Sequence, residues 1–328
     1  MVKTEAMAAG TEQTPRRGSE AGFSLPELLV ATTIMLIISS TVTTALLQMT
    51  NAQHTIWNRT ELHSGVRSAT ELLQQEVGQA GRVTLPILPT PVTLTAAVAA
   101  GAQSVTVGPA GAISGIFVGE QLVVGAGSLA ETVTVLTVTA GTNTITANSS
   151  TGSTGFYYTH VSGDPVQAYG GFSSGVVPTN MANGSTSTVL KLYGDINGDN
   201  NMVYVEYTCN TAAGFLYRNM MAWNAAPPKP AVTASQILLS NIVANPGGAA
   251  CFTYQQSTVN GVTYVTDVAI TLTVQTQQLD RITRQYQTET KALLNVSPRN
   301  VFNVWELASQ GSYYRVQPTP PTITALLP

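Results

Sequence analysis

The sequence predicts an α+β protein: a long N-terminal helix, half transmembrane and half amphipathic, packed on an antiparallel β-sheet, with an additional small β-module. Three observations predict it. No formally charged residue occurs from Leu28 to Asn58, and the most apolar part, residues 28–47, has the roughly 20 residues that a bilayer-spanning helix needs. Beyond it Leu62, Val66, Ala69, Leu73, Val77 and Ala80 recur at three- and four-residue steps, the stripe of an amphipathic helix. From residue 92 onward, short β-branched runs alternate with Gly, Asn, Ser and Pro, which reads as strands and turns.

Residues 1–22 form a polar leader containing Arg16 and Arg17. A secretory signal places its apolar core before the cleavage site. Here the basic pair and Gly22 precede the apolar run, so a cut at Gly22 leaves the run on the mature chain. The basic pair orients the leader towards the cytoplasm. Pro26 falls in the first helical turn, where a missing N–H costs nothing. Glu27 is the one charge at the mouth of the run. A carboxylate in a membrane segment costs on the order of a few kcal/mol, so Glu27 either reaches the headgroups or meets a partner. Arg59, His63, Arg67, Glu71 and Gln74 fall mainly on the faces away from the stripe, and Gly78, Gly81 and Pro86 end it. The helix is therefore expected over residues 23–82, with a linker over 83–91. Ser39–Thr44 is rich in poor helix formers and is expected to be its weakest stretch.

Charged residues make up 9% of the 328, and net charge is −3. Between Val83 and Leu190 only Glu120, Glu131 and Asp164 are charged. Such a surface suits an exported β-rich protein, and no basic patch points to nucleic acid. The two cysteines, Cys209 and Cys251, read as one disulfide in an exported chain. No CxxC or Cys/His cluster suggests zinc or redox chemistry.

Residues 92–166 hold five strand candidates at regular spacing, starting at Val92, Gln103, Gly119, Glu131 and Asn143, and read as a module inserted into or decorating a β domain over 167–308. Within that domain, Thr188–Tyr193 and Met202–Thr208 read as a hairpin. The clearest strand is Val262–Val274, with Val262, Tyr264, Val268, Ile270, Leu272 and Val274 on one face. The tail from residue 309 to 328, with Pro318, Pro320 and Pro321, is expected to be mobile. In the loop Gly194–Asn201, the residues Asp195, Asn197, Asp199 and Asn201 alternate like hard oxygen ligands of calcium, and Glu206 stands twelfth from Asp195. Yet Asn200 occupies the position where a calcium loop needs glycine, and the same residues also make a polar hairpin turn. Gly171-Phe-Ser173-Ser-Gly175 matches G-x-S-x-G, but Val176-Val-Pro-Thr-Asn cannot supply the helix that a nucleophile elbow needs. His160, the histidine outside the long helix, shows no evident carboxylate arrangement in sequence. An enzyme is not expected.

Gly22-Phe23-Ser24-Leu25-Pro26-Glu27-Leu28-Leu29 resembles the class III signal of type IV pilins and pseudopilins. The resemblance implies that a prepilin peptidase cuts after Gly22 and methylates the new amine on Phe23. It also implies that Glu27, fifth in the mature chain, pairs with the N-terminal amine of a neighbouring subunit during assembly. The chain departs from the pattern in its acidic leader residues Glu5, Glu12 and Glu20, in Pro26 where isoleucine or valine is common, and in Thr44 where a mid-helix proline is common. Asp195-Ile-Asn-Gly-Asp, Val203-Tyr-Val-Glu-Tyr, Leu216-Tyr-Arg218, Val268-Ala-Ile-Thr-Leu-Thr-Val and Ser297-Pro-Arg-Asn300 resemble the large PilW-type minor pilins. Together these stretches imply a minor pilin held in the bacterial inner membrane with a periplasmic C-terminal domain, then carried to the pilus surface. Its implied partners are other pilins, prepilin peptidase and the assembly platform, with calcium the one candidate cofactor. A pseudopilin of a type II secretion system fits the same signal, as does a pilus-associated adhesin that binds through 92–166. That region resembles a small β-module of bacterial surface and phage-associated proteins, which implies no activity.

Overall fold

Helix α1 runs unbroken from Leu25 to Gln79. The structure, a computed structural model, describes residues 22–82, 91–168, 170–199, 201–311 and 316–326. The leader up to residue 21, nearly all of the 83–91 linker with Pro86, and Asn200 lie outside the described residues. The chain divides into two compact units, residues 1–55 and 56–328.

In the first unit, large apolar side chains including Leu29, Ile34, Met35, Leu36, Ile38, Leu46 and Leu47 are exposed, spread around the helix. This helix is long and apolar enough to cross a membrane. Several of its threonines bond internally: Thr33, Thr41, Thr44 and Thr50 each donate to a carbonyl one turn back. Such back-bonding hides hydroxyls from a solvent that cannot bond them. Ser39–Thr44, the expected weak stretch, is helical here.

In the second unit the later turns of α1 bury Val66, Ala69, Thr70, Leu73, Glu76 and Val77, which is the expected stripe with a charge in it. The helix ends where Gly81 turns to φ +82°, the left-handed exit that glycine tolerates best. Asn300 Nδ2 donates to the carbonyls of Gln79 and Gly81 at 3.2 and 3.3 Å, satisfying acceptors that a helix end leaves open. Gly175 and Gly194 press against the same exit. A Cβ on Gly175 would stand 2.1 Å from Gly81 N, so the second glycine of the G-x-S-x-G match is there for packing.

The stripe enters a core shared by two antiparallel sheets. One is ordered β11-β10-β9-β8, with β8 Val189–Gly194, β9 Val203–Asn210, β10 Phe215–Ala222 and β11 Ile237–Ser240. β8 and β9 are the expected hairpin, in register from Val189↔Thr208 to Gly194↔Val203. The other sheet is ordered β12-β14-β13, with β15 also paired to β14; these are β12 Ile242–Val243, β13 Phe252–Val259, β14 Val262–Gln275 and β15 Thr288–Val296.

One expectation about β14 is corrected. Its register against β13 shifts between Gln255 and Gln256, leaving Thr266 as an extra residue. Such a bulge exchanges the faces of a strand. Val265, Val268, Ile270, Leu272 and Val274 therefore face the shared core, whereas Tyr264 and Val262 pack in a separate cluster with Val301, Val304 and Ala308. Those three partners lie on α2, Arg299–Ser309, a helix not anticipated in the 167–308 β domain. Their three- and four-residue spacing was its sequence signal.

Cys209 of β9 and Cys251, just before β13, are joined by a disulfide spanning 42 residues, which staples the two sheets. The chain-entropy relation assigns such a loop about 4 kcal/mol. The Cys209→Ser/Cys251→Ser variant of the full chain in detergent should therefore unfold at clearly lower urea, and an unchanged midpoint would count against that contribution.

Residues 92–168 close into a six-stranded barrel, β1-β2-β5-β4-β3-β6. Its strands are β1 Val92–Leu94, β2 Ser104–Gly108, β3 Gln121–Val124, β4 Glu131–Thr139, β5 Thr144–Ser149 and β6 Pro165–Ala168. Five match the strand candidates; the sixth, β6, straddles the expected boundary at 166 and closes the ring against β1 and β3. Closure removes the open edges that these charge-poor strands have few charges to guard. The barrel has its own core, with Leu94, Leu122, Val133, Ile145 and Phe156 buried in it.

The described part of the tail is ordered, which corrects the expectation of a mobile segment. β16, Val316–Gln317, pairs parallel with β7, Gly171–Phe172. The short helix α3, Pro321–Ala325, and the residue after it bury Ile323 and Leu326 with Phe117, Phe172, Tyr193 and Tyr204. Gln317 clamps the barrel by two 2.8 Å bonds, accepting from Gln121 N–H and donating to its carbonyl. Prolines here stiffen a packed strap.

Candidate functional site

Gly22, Phe23 and Ser24 form a short non-helical stretch ahead of α1, exposed throughout, with Phe23 at 83%. Gly22 is not in the left-handed region, and a Cβ built on it would meet nothing within 4 Å. Among the described residues, neither backbone geometry nor packing requires glycine at 22.

Ser24 and Glu27 form part of a capping box. The carboxylate of Glu27 accepts from the Ser24 N–H at 3.4 Å and from its hydroxyl at 3.3 Å. The S-x-x-E spacing of Ser24 and Glu27 is the sequence signal of this local cap. A negative charge in the first helical turn also opposes the positive end of the helix dipole. Glu27 is exposed, so this local role leaves it open to a further partner.

The residues of the calcium reading carry hydrogen bonds and an ion pair of their own. Asp195 pairs with Arg82 at 3.6 Å and accepts the Asp199 N–H at 3.0 Å. Asp199 accepts the Asn201 N–H at 2.9 Å, and this bond holds its carboxyl below the ordinary range. These are bonds of a polar turn, and Asn197 lies in that turn. Glu206 is turned away from it: buried on β9, it binds Lys229 Nζ at 2.6 and 2.7 Å and accepts from Tyr204 at 2.8 Å. Among the described residues no three His, Cys, Asp or Glu side chains converge as metal ligands.

The G-x-S-x-G segment is likewise committed to structure. Ser173 N–H donates to the Gln317 carbonyl at 2.9 Å, and the Ser174 hydroxyl is bonded to Tyr193 and Thr319. His160 has carboxylates on both sides, contrary to the sequence expectation. Its Nε2 meets Glu131 at 2.9 Å and its Nδ1 meets Asp164 at 3.2 Å, with the ring fully buried. Burial works to raise the Glu131 carboxyl, but N–H bonds from Tyr158 and Tyr157 and the bond to His160 hold it below its ordinary value. Gly125 backs the ring so closely that a Cβ would stand 2.8 Å from it. The cluster ties β4 to the 157–164 segment.

No family model matches this chain, and no curated protein matches it.

Proposed function

We propose that this protein is a minor pilin of a type IV pilus, cut after Gly22 by a prepilin peptidase and assembled through its apolar helix. The observation that carries the reading is the setting of the Gly22–Phe23 bond. It is exposed, non-helical, and followed within two residues by a helix whose apolar side chains are open all round. Among the described residues nothing needs a glycine there, and a processing enzyme would supply such a need.

Magnitudes support a partner for that helix. Burying a large apolar side chain is worth about 1.5–3 kcal/mol, so about a dozen left more than half exposed forgo on the order of 10–20 kcal/mol. That is comparable to the whole stability of a domain, about 5–15 kcal/mol. A bilayer before assembly and a fibre core afterwards both cover such a surface. Cleavage would leave the amine of Phe23 four residues before Glu27, and the exposed carboxylate suits the amine of a neighbouring subunit. The periplasmic placement of the second unit agrees with its disulfide.

N-terminal sequencing of the mature protein should begin at methylated Phe23, and Glu27→Ala should be cut normally yet enter fibres poorly. An intact leader in a strain with active prepilin peptidase overturns the reading.

A further inference from the structure

We propose that the β14–β15 loop, residues 276–287, is a second membrane contact: Leu279, Ile282 and Tyr286 enter the headgroup boundary of an anionic bilayer while Arg281 and Arg284 bind its phosphates. This rests on reading the apolar half of α1 as a span and goes beyond it, since a span needs no such loop.

Leu279, Ile282 and Tyr286 are 49%, 67% and 49% exposed. The loop that carries them is built rather than slack. Asp280, only 3% exposed, accepts the N–H groups of Ile282 and Thr283 at 2.8 and 2.9 Å and the Gln287 side-chain amide at 2.6 Å. Its own carbonyl accepts the Arg284 N–H at 2.8 Å. The acid of the loop is thus turned inward onto backbone, while both arginines are exposed, and neither is in an ion pair among the described residues. A hydrogen-bonded turn that intersperses three exposed apolar side chains with two guanidinium groups, unpaired among the described residues, matches the chemistry of a phospholipid surface, apolar below and anionic above.

The bond from Arg59 Nε to Gln287 Oε1, 3.1 Å, sets the loop beside the first turns of α1 in this unit. There Ile56 and Trp57 are 62% and 78% exposed. Trp and Tyr are the residues that favour the membrane–water boundary. Trp57 follows the apolar run that ends at Leu47 by ten residues in sequence. A second copy of the same face would set cation against cation, which disfavours self-docking.

The test uses the full chain with its disulfide intact, in vesicles of phosphatidylethanolamine and phosphatidylglycerol. A nitroxide is attached in turn at Ile282→Cys, Ile37→Cys and Val161→Cys, and collisions with oxygen and a water-soluble nickel chelate are compared. Expected is an Ile282 site intermediate between a hydrocarbon-like Ile37 site and a water-like Val161 site. It should shift towards water in neutral vesicles and in the Arg281→Gln/Arg284→Gln variant. A water-like Ile282 site beside a hydrocarbon-like Ile37 site overturns the loop contact and keeps the span. A water-like Ile37 site overturns the span, and the loop contact with it. Protection of the Ile282 site in assembled fibres alone also overturns it, in favour of a protein neighbour.

Discussion

Replacing Glu76 by alanine is expected to remove about 3–5 kcal/mol of stability, the usual result of breaking a buried ion pair from one side. Glu76 projects from the buried stripe of α1 and is 4% exposed. Its carboxylate binds Arg218 of β10 through Nη2 and Nε, the latter at 3.0 Å, and accepts from the Tyr207 hydroxyl of β9. Burial and the Glu76 charge push the Tyr207 hydroxyl up, so it stays a donor across the physiological range. Alanine would leave a half-buried guanidinium and a buried phenol without an acceptor, and each pulls the helix from the sheet. The pair itself is not intrinsically stabilising: an apolar replacement of both partners, Glu76→Leu/Arg218→Met, should recover much of the loss. Urea unfolding of the full chain in detergent measures both. Equal losses in the single and double variants would show that the site matters through packing alone.

Glu76 also shows where sequence reasoning stops. The stripe through Val66, Ala69, Leu73, Val77 and Ala80 was legible because apolar periodicity reports one helix face directly. Glu76 lies three residues after Leu73, on the same face, but only its pairing with Arg218 makes its burial tolerable. That pairing joins residues 142 apart in the chain. The barrel was legible strand by strand for the same reason, while its closure was not: Pro165–Ala168 is too short for its Val166-Gln167-Ala168 alternation to stand out, and its pairing with two neighbours closes the ring. Thr266 reads like every other threonine of β14, so the exchange of faces there left no mark in hydropathy. The mobile-tail expectation took proline for looseness, although Gln317, Ile323 and Leu326 are buried. The apolar half of α1 was the most legible element, because its cue, an uncharged run from Leu28 to Asn58, is local. The three isolated charges in a nearly uncharged stretch, residues 83–190, mark buried polar contacts. Glu131 and Asp164 hold His160, and Glu120 is buried at 1% exposure.

Glu120 carries the other large effect, and it should depend on pH. Burial pushes its carboxyl from the ordinary 4.5 up to about 8, only partly opposed by the Phe117 N–H that donates to it at 3.1 Å. The folded chain therefore holds a proton that the unfolded chain releases. Where the unfolded state binds fewer protons, stability falls as pH rises. The loss should begin near pH 4.5, grow to about pH 8 and then level off, reaching at most about 5 kcal/mol at 1.36 kcal/mol per pH unit. Glutamine retains the acceptor for Phe117 and cannot ionise. Glu120→Gln should thus match the parent near pH 4.5 and exceed it increasingly up to pH 8, read from urea unfolding at several pH values. Parallel profiles would mean that the carboxyl ionises as easily inside as outside. The location makes the effect consequential: Phe117 stacks on Phe172 and meets Trp223 edge-on, in the cluster where the barrel joins the second unit's sheets and tail. Ionisation of Glu120 strains the turn that aims Phe117 into that cluster, so the barrel's attachment should weaken before its own core does.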